Sequence, residues 1–166
     1  MQGRRKEKID YTSAVESIGA DIIRSDRFRS AEKIPHHRYE NVAEHSLRVA
    51  KQSYRMAVWL RKHGFHVDYG DVVRGSLLHD IGMTESDIHK SPGWRKAYRH
   101  PKEGAEIAER EFHANAVQKN AVRRHMWPIS VIPPVHTAGW IIGSSDKYCS
   151  VKERASRLFQ SLHKEG

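Results

Sequence analysis

One cysteine, Cys149, stands among 166 residues. That excludes an internal disulfide and any zinc knuckle built on thiolates, so a bound metal would have to rest on nitrogen and oxygen. Long apolar runs are lacking too. No uninterrupted stretch approaches the ~20 residues that span a bilayer. The basic start, Met1 to Lys8, leads into Ile9-Asp10-Tyr11 rather than an apolar core with a small-residue cleavage site, so it does not read as a secretory signal. A cytoplasmic chain with no membrane partner is the expectation. No repeat, low-complexity segment or linker divides the sequence, and its length is that of one domain, expected over residues 1–166 with a flexible basic tail at 1–10.

What the chain has in excess is positive charge and histidine. The formal net charge is +9 and there are twelve histidines. Such a charge gathers anions near the surface and favours a small phosphorylated partner, with a nucleotide as the leading case. Nucleic acid is the less favoured partner, because neither a helix-turn-helix nor an aromatic stacking pattern accompanies the charge. Oligomeric state is left open by the sequence.

The periodicities are helical. Ser13-Ala14-Val15-Glu16 has capping-box form, and Val15, Ile18, Ile22 and Ile23 follow at helical spacing, predicting a helix over 12–24. Ser25 to Glu40 is polar, contains Pro35, and reads as a loop. Asn41 with Glu44 caps a long helix to Lys62, whose stripe of Val42, His45, Ser46, Val49, Ala50, Ser53, Met56, Ala57 and Leu60 turns His45 inward. Asp71 is the expected cap of a third helix that ends at Gly82, with His79-Asp80 at its C-terminus. Residues 83–99 read as a loop, and His100-Pro101 as the start of a fourth helix carrying Gly104, Ile107, Ala108 and Phe112. Asn115 with Gln118 opens a fifth, which carries His125 and stops before Pro128. Thr137 is the expected cap of a last helix holding Trp140, Ile141, Asp146, Cys149, Leu158 and Phe159. No stretch alternates as a strand does. The fold class is all-α, a compact bundle of about six main helices.

Four of these helices carry a His or Asp on or beside an apolar face. A buried ionisable group needs a partner, and a metal is one that several of them could share. The order His45, then adjacent His79-Asp80, then His100, His125 and Asp146 resembles the HD superfamily of metal-dependent phosphohydrolases. The likeness runs over about residues 38–160. Its characteristic stretches are Asn41-Val42-Ala43-Glu44-His45-Ser46-Leu47-Arg48-Val49-Ala50 and Leu77-Leu78-His79-Asp80-Ile81-Gly82. Arg123-Arg124-His125-Met126-Trp127-Pro128, Pro133-Pro134, Gly139-Trp140 and Asp146-Lys147 are similar to a subgroup of small bacterial HD proteins.

By that resemblance, His45, His79, Asp80 and Asp146 would hold a first metal, and Asp80 would bridge to a second held by His100 and His125. Two divalent ions, iron or manganese, are implied. With only two carboxylates opposing four positive charges, such a site keeps a surplus for an anionic phosphate, and a metal-activated hydroxide would attack it. Asp80 is thus both ligand and catalytic residue.

Further candidates are weaker signals. Lys147 either reaches a substrate phosphate or is a surface lysine beside a ligand. Arg38, Arg123 and Arg124 are phosphate candidates because a guanidinium can bind two oxygens at once. Arg124 and Arg38 are carried forward, with His89, as substrate-binding residues. Glu85, near Asp87 in the loop after the His-Asp pair, is a candidate for proton transfer. His63, His66, His113 and His163 read as surface residues, and His36 and His37 as solvent-exposed. Trp127 and Trp140 read as packing residues, Trp94 as a pocket-lining residue, and Cys149 as a buried small residue. The functional expectation is hydrolysis of a phosphoester or phosphoanhydride. The alternatives are a diiron oxygenase on the same ligands and a metal-containing nucleotide-binding regulatory module.

Overall fold

The computed structural model describes residues 10–36, 40–84 and 93–162, the side chains of 93–97 and 157–162 excepted. Eight helices are present among the described residues. They are α1 (Tyr11–Ile18), α2 (Ala20–Ile23), α3 (Asp26–Ala31), α4 (Val42–Lys62), α5 (Tyr69–Leu78), α6 (Gly93–Phe112), α7 (Ala116–Arg124) and α8 (Thr137–Leu162). The chain is all-α apart from one two-residue pair, β1 (Pro35–His36) and β2 (Glu40–Asn41). No described helix is long and apolar enough to cross a membrane.

α5 is the central element. It packs against α4 on one side and α7 and α8 on the other, with α1, α2 and α6 also touching it. Val72, Val73, Gly75, Ser76, Leu77 and Leu78 are all buried. Each fully buried Val or Leu there contributes about 1.5–3 kcal/mol. Because α5 lies in the middle, its C-terminus opens into the interior, and the pair His79-Asp80 is delivered there.

α4 forms as its stripe predicts, and its start has the full reciprocal cap. Asn41 Oδ1 accepts from the Glu44 amide at 2.8 Å, and Glu44 Oε2 accepts from the Asn41 amide at 3.2 Å. Asn115 caps α7 through the Gln118 amide, also as expected.

Several expected boundaries are corrected. The first helix is broken at Gly19 into α1 and α2, and glycine there lets the chain lie close on α5, since a Cβ would come within 2.1 Å of Leu77 Cδ1. Its cap is Asp10, which accepts from the Thr12 and Ser13 amides, and not the Ser13 box. The expected loop 25–40 contains α3 and the β1–β2 pair. α5 is capped by Asp68 accepting from the Asp71 amide at 2.8 Å. Asp71 instead accepts from Asn115 Nδ2 and Gln118 Nε2, tying α5 to α7. α6 begins at Gly93, seven residues before the expected start, and Pro101 lies inside it, where its ring nitrogen cannot donate to the preceding turn. Thr137 is the first residue of α8 rather than its cap.

Candidate metal centre

Helices α4, α6, α7 and α8 meet where α5 ends. α4 supplies His45, the turn after α5 supplies His79 and Asp80, α6 supplies His100, the end of α7 supplies His125, and α8 supplies Asp146. His45 and His79 have no exposed surface, and His100, His125 and Asp80 are buried.

His79 and His125 are oriented by one device. Each comes directly after the last residue of its helix as the C-cap, and each Nδ1 lies 2.7 Å from the carbonyl three residues back, of Ser76 and of Val122. Carbonyls at a helix C-terminus lack intrahelical donors. A carbonyl can only accept, so Nδ1 carries the proton and Nε2 presents its lone pair to the interior, as the outer hydrogen bonds of metal-ligating histidines arrange.

The donor atoms are spaced as ligands. Two atoms bonded to one ion at about 2.1 Å and at right angles stand about 3 Å apart. His45 Nε2 is 3.0 Å from Asp146 Oδ1. His79 Nε2 is 3.3 Å from Asp80 Oδ2 and 3.9 Å from Asp146 Oδ1. On the far side, His100 Nε2 is 3.1 Å from both Asp80 Oδ1 and His125 Nε2, and His125 Nε2 is 3.5 Å from Asp80 Oδ1. The two oxygens of Asp80 therefore face two donor groups, one made by His45, His79 and Asp146 and the other by Asp80, His100 and His125.

The electrostatics fit a cation. Burial works against charge on His45, but Asp146 and Glu40 overcome it and push its pKa up to about 9. Burial would likewise raise Asp80, yet His79 and hydrogen bonds from His100 and His36 hold it well below the carboxylate range. Asp146 is held down by His45 and His79 against the same burial. In the metal-free chain a proton thus does part of the work that a divalent ion would do. His79 Nε2, buried and making no hydrogen bond, is left for such an ion to satisfy.

All six expected ligands come together. Lys147 lies close by, but its ammonium donates to the carbonyls of His125 at 3.0 Å and Gly143 at 3.2 Å. Arg124 is half-buried and lines a cavity of about 120 Å³ with His125, Lys147, Trp127 and Trp140. Arg123 is exposed. Arg38, Glu85 and His89 lie outside the described residues, as do His37, Asp87, His163 and the side chain of Trp94. His63, His66 and His113 are at the surface, and Cys149 is buried, as read. Trp127 and Trp140 pack edge to face at 4.9 Å but remain 36% and 43% exposed, so they cover the surface and are not part of a closed core.

One expectation is overturned at the site itself. His36 is buried, not solvent-exposed: its ring stacks on His45 at 3.8 Å, and its Nε2 is 3.3 Å from Asp80 Oδ2. The signal available was the period of two from Ile34 to His36 across exposed Pro35, which is too short to register as a strand. Glu40 was also missed. It lies 3.5 Å from His45 Nδ1 and pairs with Arg48, which also binds buried Glu153 at 2.9 Å.

Residues 42–148 match the family model described as the HD domain. The uncharacterized protein MJ0778 of Methanocaldococcus jannaschii is 30% identical over 104 residues, covering 57% of this chain and 58% of that protein. The chain thus spans less than two thirds of that relative's length. No solved structure matches it. The matched region runs from the first residue of α4 into α8 and encloses His45, the His79-Asp80 pair, His100, His125 and Asp146, and the chain belongs to the HD domain family.

Proposed function

We propose that this chain hydrolyses a phosphoester or phosphoanhydride of a small phosphorylated substrate, a nucleotide, at a binuclear centre of iron or manganese. The observation that carries the reading is the placement of Asp80. One of its oxygens lies beside His79 and the other beside His100 and His125, so a single carboxylate can bridge two ions.

His45, His79, Asp80 and Asp146 would hold one ion, and Asp80, His100 and His125 the other. Such a pair supplies Lewis-acid polarisation of a phosphoryl oxygen and acidifies water. The chain's own part is to fix the donors. Ser76 and Val122 set the tautomers of His79 and His125. Lys147 holds the His125 carbonyl, which narrows its expected catalytic role to positioning that ligand. Four imidazoles add no negative charge, so the bound pair keeps a positive surplus for an anionic substrate. Arg124 and Arg38 are the phosphate-binding side chains of this reading, His89 is a further substrate-binding residue of it, and Glu85 serves in proton transfer.

The test is elemental analysis of wild type and His125→Ala, with phosphate release measured on a nucleotide panel in iron or manganese. Two metals per chain, falling to one in the variant with loss of release, is the expected result. A single metal unaffected by the substitution overturns the second site. Oxygen consumption without phosphate release overturns the hydrolase in favour of an oxygenase on the same ligands.

A further inference from the structure

We infer that His36 is a seventh protein donor of this centre, a nitrogen ligand brought by the β1–β2 pair to the ion held by His45, His79 and Asp146. This role depends on the metal centre proposed for the six helical ligands and adds to it a residue from outside the helices.

The β1–β2 pair is anchored at both ends. Ile34 O accepts from the Val42 amide at 2.9 Å, the strands pair antiparallel with His36 opposite Glu40, and β2 runs directly into the Asn41 cap of α4. Glu40 is gripped in turn by Arg48, which also holds Glu153 on α8. His36 is therefore mounted on α4 and α8, the same helices that carry His45 and Asp146. Its ring lies on the His45 ring with the planes 22° apart, and only 7% of the residue is exposed.

The distances select its role. His36 Nε2 is 3.3 Å from Asp80 Oδ2, the same distance that separates His79 Nε2 from that oxygen. In the metal-free chain that spacing is a hydrogen bond, and it is also the spacing of two neighbouring ligands of one ion. The consequence is asymmetry. Five donors (His36, His45, His79, Asp80 and Asp146) would crowd one ion, and three (Asp80, His100 and His125) would hold the other. The second ion then offers the more open face to a phosphoryl oxygen.

The experiment uses the full chain loaded with cobalt, comparing wild type with His36→Phe, which keeps a ring on His45 without a donor, and with His36→Gly in the presence and absence of added imidazole. Cobalt per chain, affinity by chelator competition, and the visible ligand-field spectrum are read. Losing a hydrogen-bond partner of a metal ligand costs about 10–100-fold in affinity, so loss of the ligand itself is expected to weaken one site at least about tenfold. The spectrum should change in both variants, and imidazole should restore it in His36→Gly. Two cobalt ions bound by both variants with wild-type affinity and spectrum would overturn the role of His36 while leaving the centre standing. No cobalt uptake by the wild type overturns the centre itself, and His36 with it.

Discussion

On the binuclear reading, Gly82→Ala should cost the protein its second metal before its first. Gly82 comes just after the His-Asp pair, at the turn where α5 meets α6. A Cβ built there would lie 2.3 Å from the carbonyl oxygen of His100, 2.4 Å from the nitrogen of Gly104 and 2.9 Å from its Cα. All three atoms are backbone, so no side chain can swing away, and an ordinary contact requires α6 to withdraw by about 1 Å. Metal geometry tolerates only about 0.2 Å. His100 rides on α6, whereas His45, His79, Asp80 and Asp146 do not, so the retreat opens the 3.1 Å separations from His100 to Asp80 and His125 and spares the other group. Overpacking of this kind costs about 1–3 kcal/mol, and at about 2–4 °C per kcal/mol for this chain length the melting temperature should fall by about 2–12 °C. Elemental analysis and thermal unfolding on the same preparation give both numbers. A variant that melts within about 1 °C of wild type and keeps two metals would falsify the close approach of α5 and α6 as what positions His100.

Asn115→Ala removes both the cap of α7 and the bond to Asp71, and should lower stability by about 1–2 kcal/mol in chemical denaturation with no change in the first metal site. Arg27 makes a two-point pair with Glu111, whose pKa the guanidinium lowers to about 2. A depressed carboxylate stabilises the fold above its unfolded pKa and loses that contribution as pH falls from about 4.5 to about 2, so Arg27→Ala should cost at most about 1 kcal/mol at pH 7 and nothing near pH 2. A pH-independent difference between the two proteins would refute this pairing. Burial pushes the Cys149 thiol up to about 11, so under native conditions at pH 8 it should resist thiol reagents and titrate as one thiol only after unfolding.

The six candidate ligands were legible through their ordered resemblance to the HD family, and helical periodicity supported the placement of some of them. His45 lies on the buried stripe of α4, and His79 and His125 fall where their helices run out. The caps at Asn41 and Asn115 were legible because they sit at a fixed offset from a long period. The signals failed where the structure is short. α2 and α3 have four and six residues, too few for a period to declare itself, and β1 and β2 have two each. Pro101 misled because a proline beside a histidine looks like a helix start, while the segment before it had no apolar stripe to mark the earlier turns. His36 and Glu40 were invisible for a different reason: their partners His45 and Arg48 are met where the β1–β2 pair folds back on α4, and Glu153 reaches Arg48 by packing of α8 on α4, a contact over more than a hundred residues.

The net charge and the local charge act in opposite directions, and the opposition has a use. The chain carries +9 overall, yet its buried centre is built from two carboxylates beside the C-termini of α5 and α7. A helix C-terminus carries roughly half a negative elementary charge, and here the caps His79 and His125 stand at two such ends. The interior is therefore made attractive to cations by backbone as well as side chain, while the net charge of the chain favours anions. On the reading proposed above, a phosphate held over two buried cations satisfies both charges.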